Sequence, residues 1–186
     1  MKNESTFGYV LRLTVILLLI CAAVAAVLAC VNSITKEPIA AIQEQKTQTA
    51  IAEVLPEAGS VEKLQLTGDT GIVNAVYASE SGYAVEVVPN GFNGKVTMMV
   101  GIVDGKVTGI SIISHAETPG LGAVAAAQNA KGEAFRGQFV GQSGQLSIGS
   151  EIDAMSGATI TSKAVAEGVS AALAYVEKLG YRRTGL

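Results

Sequence analysis

A chain of 186 residues that is 49% hydrophobic and only 16% charged, with a mean hydropathy of +0.40, is too apolar for disorder and too short for a multidomain enzyme. A net charge of −3 and a pI near 5.2 exclude a nucleic-acid binder, which would need clustered Lys and Arg. One compact domain with a lipid-directed segment fits these totals.

The apolar surplus sits in Leu13–Val31, an uncharged run bounded by Arg12 and Lys36. As a helix it spans roughly 28 Å at about 1.5 Å per residue, enough for a bilayer core, with Tyr9 and Asn32 near the interfaces. This predicts a transmembrane helix over 12–33 after a short cytoplasmic N-terminus at 1–11. Val27-Leu28-Ala29-Cys30 also resembles a bacterial lipoprotein cleavage site, but the run is longer than the usual apolar stretch of a signal peptide. Lys2 and Arg12 against Lys36 and Lys46 give a slight charge preference for the N-terminus inside and the C-terminal domain outside the cytoplasm. Cys21 and Cys30 both lie in the run, too far apart along a helix to bridge; packing is their expected role, contact with a cofactor in a partner protein the alternative.

Pro38 is placed to open a second helix, an amphipathic connector over 34–57 with Ile39, Ile42, Ala50, Ile51 and Val54 on its apolar side, ending before Pro56. A domain over 58–186 comes next. Its strands are expected at Ile72–Ser79, Tyr83–Val88, Lys95–Val103 and Lys106–Ile113, an antiparallel meander with Asp104-Gly105 as a tight hairpin turn. Ala123–Ala130 reads as helical, and Glu133–Ser147 is ambiguous. Val165, Val169, Ala172, Leu173 and Val176 recur at helical spacing from a start at Thr161 and Ser162 to a stop at Gly180. The fold class is α+β: one N-terminal transmembrane helix, the connector, a small antiparallel sheet and a C-terminal helix.

With one histidine, His115, and no cysteine beyond residue 30, the domain offers no metal site and no Cys-His nucleophile, and no catalytic residue is expected. Neither nucleotide-phosphate fingerprint is present. Two segments stand out. Asp153-Ala154-Met155-Ser156-Gly157-Ala158-Thr159-Ile160-Thr161-Ser162 packs hydroxyls, Gly and Ala ahead of a strong helix. That pattern suits either a phosphate held on free helix amides or an over-provided N-cap. Ser114-His115-Ala116-Glu117-Thr118-Pro119-Gly120-Leu121-Gly122 succeeds the last strand. It reads either as a shaped loop, with Glu117 and Thr118 for a planar polar edge and Leu121 for an apolar face, or as an ordinary Pro-Gly turn with a structural His115.

Together, Asp153-x-x-Ser156-Gly157-Ala158-Thr159 and His115-x-Glu117-Thr118-Pro119-Gly120-Leu121-Gly122 resemble the two signatures of the FMN-binding domain family of the Rnf/Nqr type. With its membrane helix and connector, the whole chain is similar to the RnfG family of Rnf electron-transport complexes, and more distantly to the NqrC component of the Na⁺-translocating NADH:quinone reductase. The resemblance implies FMN joined by a phosphoester to Thr159, installed by a flavin transferase that reads Asp153, Ser156, Gly157, Ala158 and Thr159. It also implies that Ser156, Gly157, Ala158, Thr161 and Ser162 line the phosphate and ribityl end, and Glu117, Thr118, Leu121 and Gly122 the isoalloxazine. The expected function is a flavin relay in an ion-translocating ferredoxin:NAD⁺ oxidoreductase of the cell membrane, with other Rnf subunits as partners and no turnover of its own. The alternatives are an anchored or lipoprotein FMN carrier serving another reductase, and a flavin-free anchored scaffold.

Overall fold

A computed structural model describes residues 6–66 and 70–184. Residues 1–5 of the expected cytoplasmic N-terminus, and 67–69 and 185–186 of the expected domain, lie outside the described residues. The chain divides into two compact units, residues 1–45 and 46–186.

The first unit is helical throughout its described part and belongs to α1, Thr6–Val54, which continues into the second. The helix is long and apolar enough to cross a membrane: its most apolar window has a mean hydropathy of 3.0, and no part of that window is buried against protein. Pro38, expected to begin a new helix, lies inside α1 instead. Proline removes one helical donor and crowds the carbonyl four residues back, a cost of about 3 kcal/mol. The good helix formers on both sides, Lys36 and Glu37 before it and Ala40, Ala41, Gln43 and Glu44 after it, carry the helix through it.

The second unit is built on a five-stranded antiparallel meander in the order β1-β2-β3-β4-β5: Glu62–Leu64, Val73–Ala78, Tyr83–Val87, Thr97–Val103 and Lys106–Ser114. The last four match the alternating runs of the sequence. Asp104 and Gly105 turn β4 into β5 with φ of 51° and 73°, the left-handed pair that a two-residue hairpin requires. After β5 comes a 3₁₀ helix at Gly122–Ala126, shorter than the helix expected at Ala123–Ala130. It ends because Asn129 starts a new helix, α2 at Ala130–Gly137, by accepting from the amides of Lys131 and Gly132 at 3.1 Å each. The ambiguous stretch from Glu133 thus opens as helix and continues as loop.

α3, Thr159–Thr184, begins two residues before the expected start and passes Gly180. One glycine is too weak a breaker for a helix whose register is fixed by buried Val165, Val169, Ala172, Leu173 and Val176. These pack on one face of the sheet, against Val76, Val85, Val87, Met98, Val100 and Ile102, with Phe135 and Phe139 in the same core.

The other face of the sheet is covered by the end of α1 and the short segment after it. Ala50, Ile51, Val54, Leu55 and Ala58 share a second core with Ala84, Met99 and Ile113. Alternation along β4 therefore sends Met98, Val100 and Ile102 to one core and Met99 to the other, which is why that strand is buried almost throughout. The helix end enters where cross-strand partners Gly101 and Gly109 leave room. A Cβ on Gly101 would collide with the Val54 carbonyl oxygen, and that oxygen accepts from the Thr108 hydroxyl at 2.6 Å.

Candidate functional site

The site forms where the loop after β5 meets the start of α3. Glu117 is the hub. Its side chain is only 6% exposed, and its two oxygens are divided between two other segments. Oε2 accepts from the Thr161 hydroxyl at 2.6 Å, and Oε1 accepts from the Asn93 amide at 3.1 Å. The Glu117 amide donates to Nδ1 of His115 at 3.2 Å, so the exposed His115 accepts within its own turn. The Thr118 carbonyl accepts from the amides of Leu121 and Ala123, both at 3.2 Å, which fixes the Pro119-Gly120 turn and launches the 3₁₀ helix.

Gly122 has a steric reason. A Cβ there would strike Glu117 Oε2 and Thr161 Oγ1, so only glycine lets the loop lie against the carboxylate. Gly157 has a conformational one: its φ of 74° forms the left-handed turn just ahead of α3.

Helix geometry leaves the first amides of α3 without intrahelical acceptors; the Ser162 amide is the one that bonds back to Ala158 O, at 2.9 Å. The three hydroxyls of this turn have separate fates. Thr161, 1% exposed, donates to Glu117, and Ser162, fully buried, donates to Ala158 O at 3.0 Å while accepting from the Met155 amide at 3.0 Å. Thr159, the first residue of the helix, is exposed. Thr161 and Ser162 thus sit inside the turn and brace it, which corrects their expected place as the start of the helix.

A cavity of about 330 Å³ opens at this junction, lined by Glu117, Thr118, Leu121, Gly122, Gly157, Ala158, Thr159 and Thr161, together with Phe92 and Ile160. Its volume is in the range of small-molecule sites, about 300–1,000 Å³. Eight residues singled out from two segments some forty positions apart in sequence therefore meet around one space. Ser162 lies behind its wall. Ser156 is exposed and not among the lining residues, and neither is Asp153. The Asp153 backbone exchanges hydrogen bonds with the Gln138 side chain, its amide donating at 2.8 Å, while its own side chain is exposed. Phe92 and Asn93 carried no expectation; the signal available was the Gly91-Phe92-Asn93-Gly94 pattern, an aromatic between turn residues.

The residues present fit a phosphorylated planar ligand. Unbonded helix amides and an exposed hydroxyl lie at one wall, and a mixed polar and apolar wall faces them. A larger cleft of about 730 Å³ runs beside α3 near Ser147 and Ser170, but it contains no residue of either sequence signature.

Comparison with known proteins agrees with this geometry. Residues 91–174 match the FMN-binding domain model, and residues 1–54 match that of the RnfG N-terminal region. The chain is 35% identical, over 96% of its length and 97% of the relative's, to the G component of the Na⁺-translocating ferredoxin:NAD⁺ oxidoreductase complex of Acetobacterium woodii. It is 31% identical, over 89% of its length and 93% of the relative's, to the G component of the ion-translocating oxidoreductase complex of Methanosarcina acetivorans. Identity reaches 42% with the G component of the proton-translocating ferredoxin:NAD⁺ oxidoreductase complex of Clostridium ljungdahlii, over 54% of this chain and 58% of that one.

Proposed function

Since this chain belongs to the RnfG family of ion-translocating oxidoreductase complexes, we propose that it carries FMN covalently on Thr159 and relays electrons within such a complex. When bound, FMN supplies the redox chemistry; the chain's part is to hold, orient and shield it. The carrying observation is the fate of the three hydroxyls. Thr159 alone among Thr159, Thr161 and Ser162 combines exposure with a place on the cavity wall, while the other two are buried and hydrogen-bonded.

Attachment transfers the flavin phosphoryl group from a flavin phosphoanhydride: the Thr159 Oγ–P bond forms as the P–O bond of the anhydride breaks, the phosphate-bearing leaving group departs, and the hydroxyl proton goes to solvent. The first amides of α3 then face the phosphate with the positive end of the helix dipole. Gly157 and Ala158 permit its close approach, and Ser162 holds the turn from behind. Glu117, Thr118, Leu121 and Gly122 receive the isoalloxazine. No side chain has to act as acid or base in the relay. A separate flavin transferase makes the bond, reading the exposed side of Asp153–Thr159, where Asp153 and Ser156 are free of the cavity.

The apolar part of α1 anchors the chain as a single membrane pass over 12–33. The next segment, 34–57, leads into a flavin domain, 58–186, on the extracytoplasmic side. Other subunits of the complex deliver and accept the electrons, by analogy with the ferredoxin and NAD⁺ in the names of two relatives. The test is complementation: membranes lacking this chain should lose ferredoxin-dependent NAD⁺ reduction, regain it with the intact chain, and not regain it with Thr159→Ala. Full activity with Thr159→Ala would reject the assignment.

A further inference from the structure

Outside α1, the exposed large apolar side chains among the described residues are Phe92, Leu121, Val140 and Ile160, and three of these four surround the cavity. Single exposed apolar residues are ordinary; a cluster around one opening signals something that covers it. Phe92 is the largest of the cluster and, at 67%, the most exposed.

The turn that carries Phe92 is built to hold it still. Asn90 and Lys95 pair across its base, and the Gly91 amide donates to Gly94 O at 2.8 Å. Asn93 ties the tip down twice, its amide to Glu117 Oε1 and its side-chain nitrogen to Ala116 O at 2.8 Å. Gly91 lies so close to Glu117 that a Cβ would collide with Oε1, and Gly94 takes a φ of 131°, open to glycine alone. Glu117 thus joins the Phe92 turn through one oxygen and the first turn of α3 through the other. An aromatic ring left in water on a turn fixed to the same carboxylate as the flavin-attachment helix lacks a partner of its own kind.

We propose that Phe92 is the aromatic wall of the flavin site, packing on the isoalloxazine and shielding it from water, with Glu117 as the strut that sets its position. This rests on the reading of Thr159 as the attachment point. A planar, polarisable ring is the partner that an exposed phenyl group on a rigid turn suits best, by offset stacking or edge contact. Leu121 and Ile160 complete the apolar rim.

The test uses the full-length chain, made together with the flavin transferase and purified in detergent, with flavin content read by intact mass. Trp and Tyr quench an excited flavin only at contact distance. Phe92→Trp and Phe92→Tyr should therefore lower flavin emission several-fold at equal flavin content, whereas Val140→Trp, placed at an exposed apolar residue outside the cavity lining, should leave it unchanged. Phe92→Ala should raise the iodide quenching constant of the flavin about twofold or more. Because Phe92 is mostly exposed, these variants should melt as the parent does. Unchanged emission in both aromatic variants, with unchanged iodide access in Phe92→Ala, would overturn the role of Phe92 while leaving the attachment intact. A parent chain without flavin would instead contradict the proposed function, and the role of Phe92 with it.

Discussion

Two helix ends meet the sheet domain and are finished in opposite ways. The last turn of α1 is filled by the protein itself: Val54 O lies against Gly101, takes the Thr108 hydroxyl, and belongs to a residue buried in the second core. The first turn of α3 is left open. Its early amides and the Thr159 hydroxyl lie at a cavity, where Gly122 lets the loop lie against Glu117 and Thr161 and Gly157 forms the left-handed turn ahead of the helix. Glycine removes a side chain in both places. What lies beside each end differs: the end of α1 is closed by packing in the second core, whereas the first turn of α3 keeps an open cavity beside it. Open polar groups at a helix terminus therefore become informative once the same molecule shows how it closes a terminus it does not need for binding.

The sharpest way to break this comparison is Thr159→Ala. It should abolish covalent flavin entirely, yet shift stability by no more than about 0.5 kcal/mol, because the side chain is exposed and holds no core. Glu117→Ala acts on the same end through structure. It strips partners from the Thr161 hydroxyl and the Asn93 amide, and should cost about 1–3 kcal/mol by thermal or denaturant melting, with looser flavin binding alongside. At the closed end, Gly101→Ala should cost a similar amount, about 1–3 kcal/mol of overpacking, but leave flavin attachment at the parent level. Thr108→Val, which removes only the donor to Val54 O, should cost about 1 kcal/mol.

The smallest effect lies away from both ends. Hydrogen bonds from the Ser147 hydroxyl and amide hold the Glu151 carboxyl below its ordinary range. A depressed folded value means that this contribution is present above the unfolded carboxylate pKa and fades as pH falls through the folded one. Glu151→Gln should accordingly lower stability slightly at neutral pH and flatten the acid limb of a stability profile below about pH 4.5, where variant and parent converge.

Much of this was legible in the sequence where local rules act. The alternating runs gave β2 to β5 within two residues at each end, and Asp104-Gly105 gave the hairpin. Membership of the α+β class came from the order of the elements. β1 escaped because three residues pairing at a sheet edge carry too short a period to read. The continuity of α1 through Pro38 escaped because proline allows either outcome, and only the flanking helix decides.

At the site, the two signatures placed seven residues on the cavity, and Thr161 just beyond them an eighth, but not what binds them together. Glu117 meets Thr161 across 44 positions and Asn93 across 24, and no local pattern encodes such pairs. The motif resemblance put the attachment on Thr159, but hydroxyl chemistry alone does not set it apart from Thr161 and Ser162 in the same turn. Only burial and hydrogen bonding separate them.

The most direct measurement is peptide mapping of the chain purified from cells that also make the flavin transferase, run beside Thr159→Ala and Thr161→Ser. The account predicts one added FMN, less one water, on the peptide holding Thr159 in the parent and in Thr161→Ser, and none in Thr159→Ala. Flavin retained on that peptide in Thr159→Ala, or mapped to Thr161 or Ser162 in the parent, would contradict it.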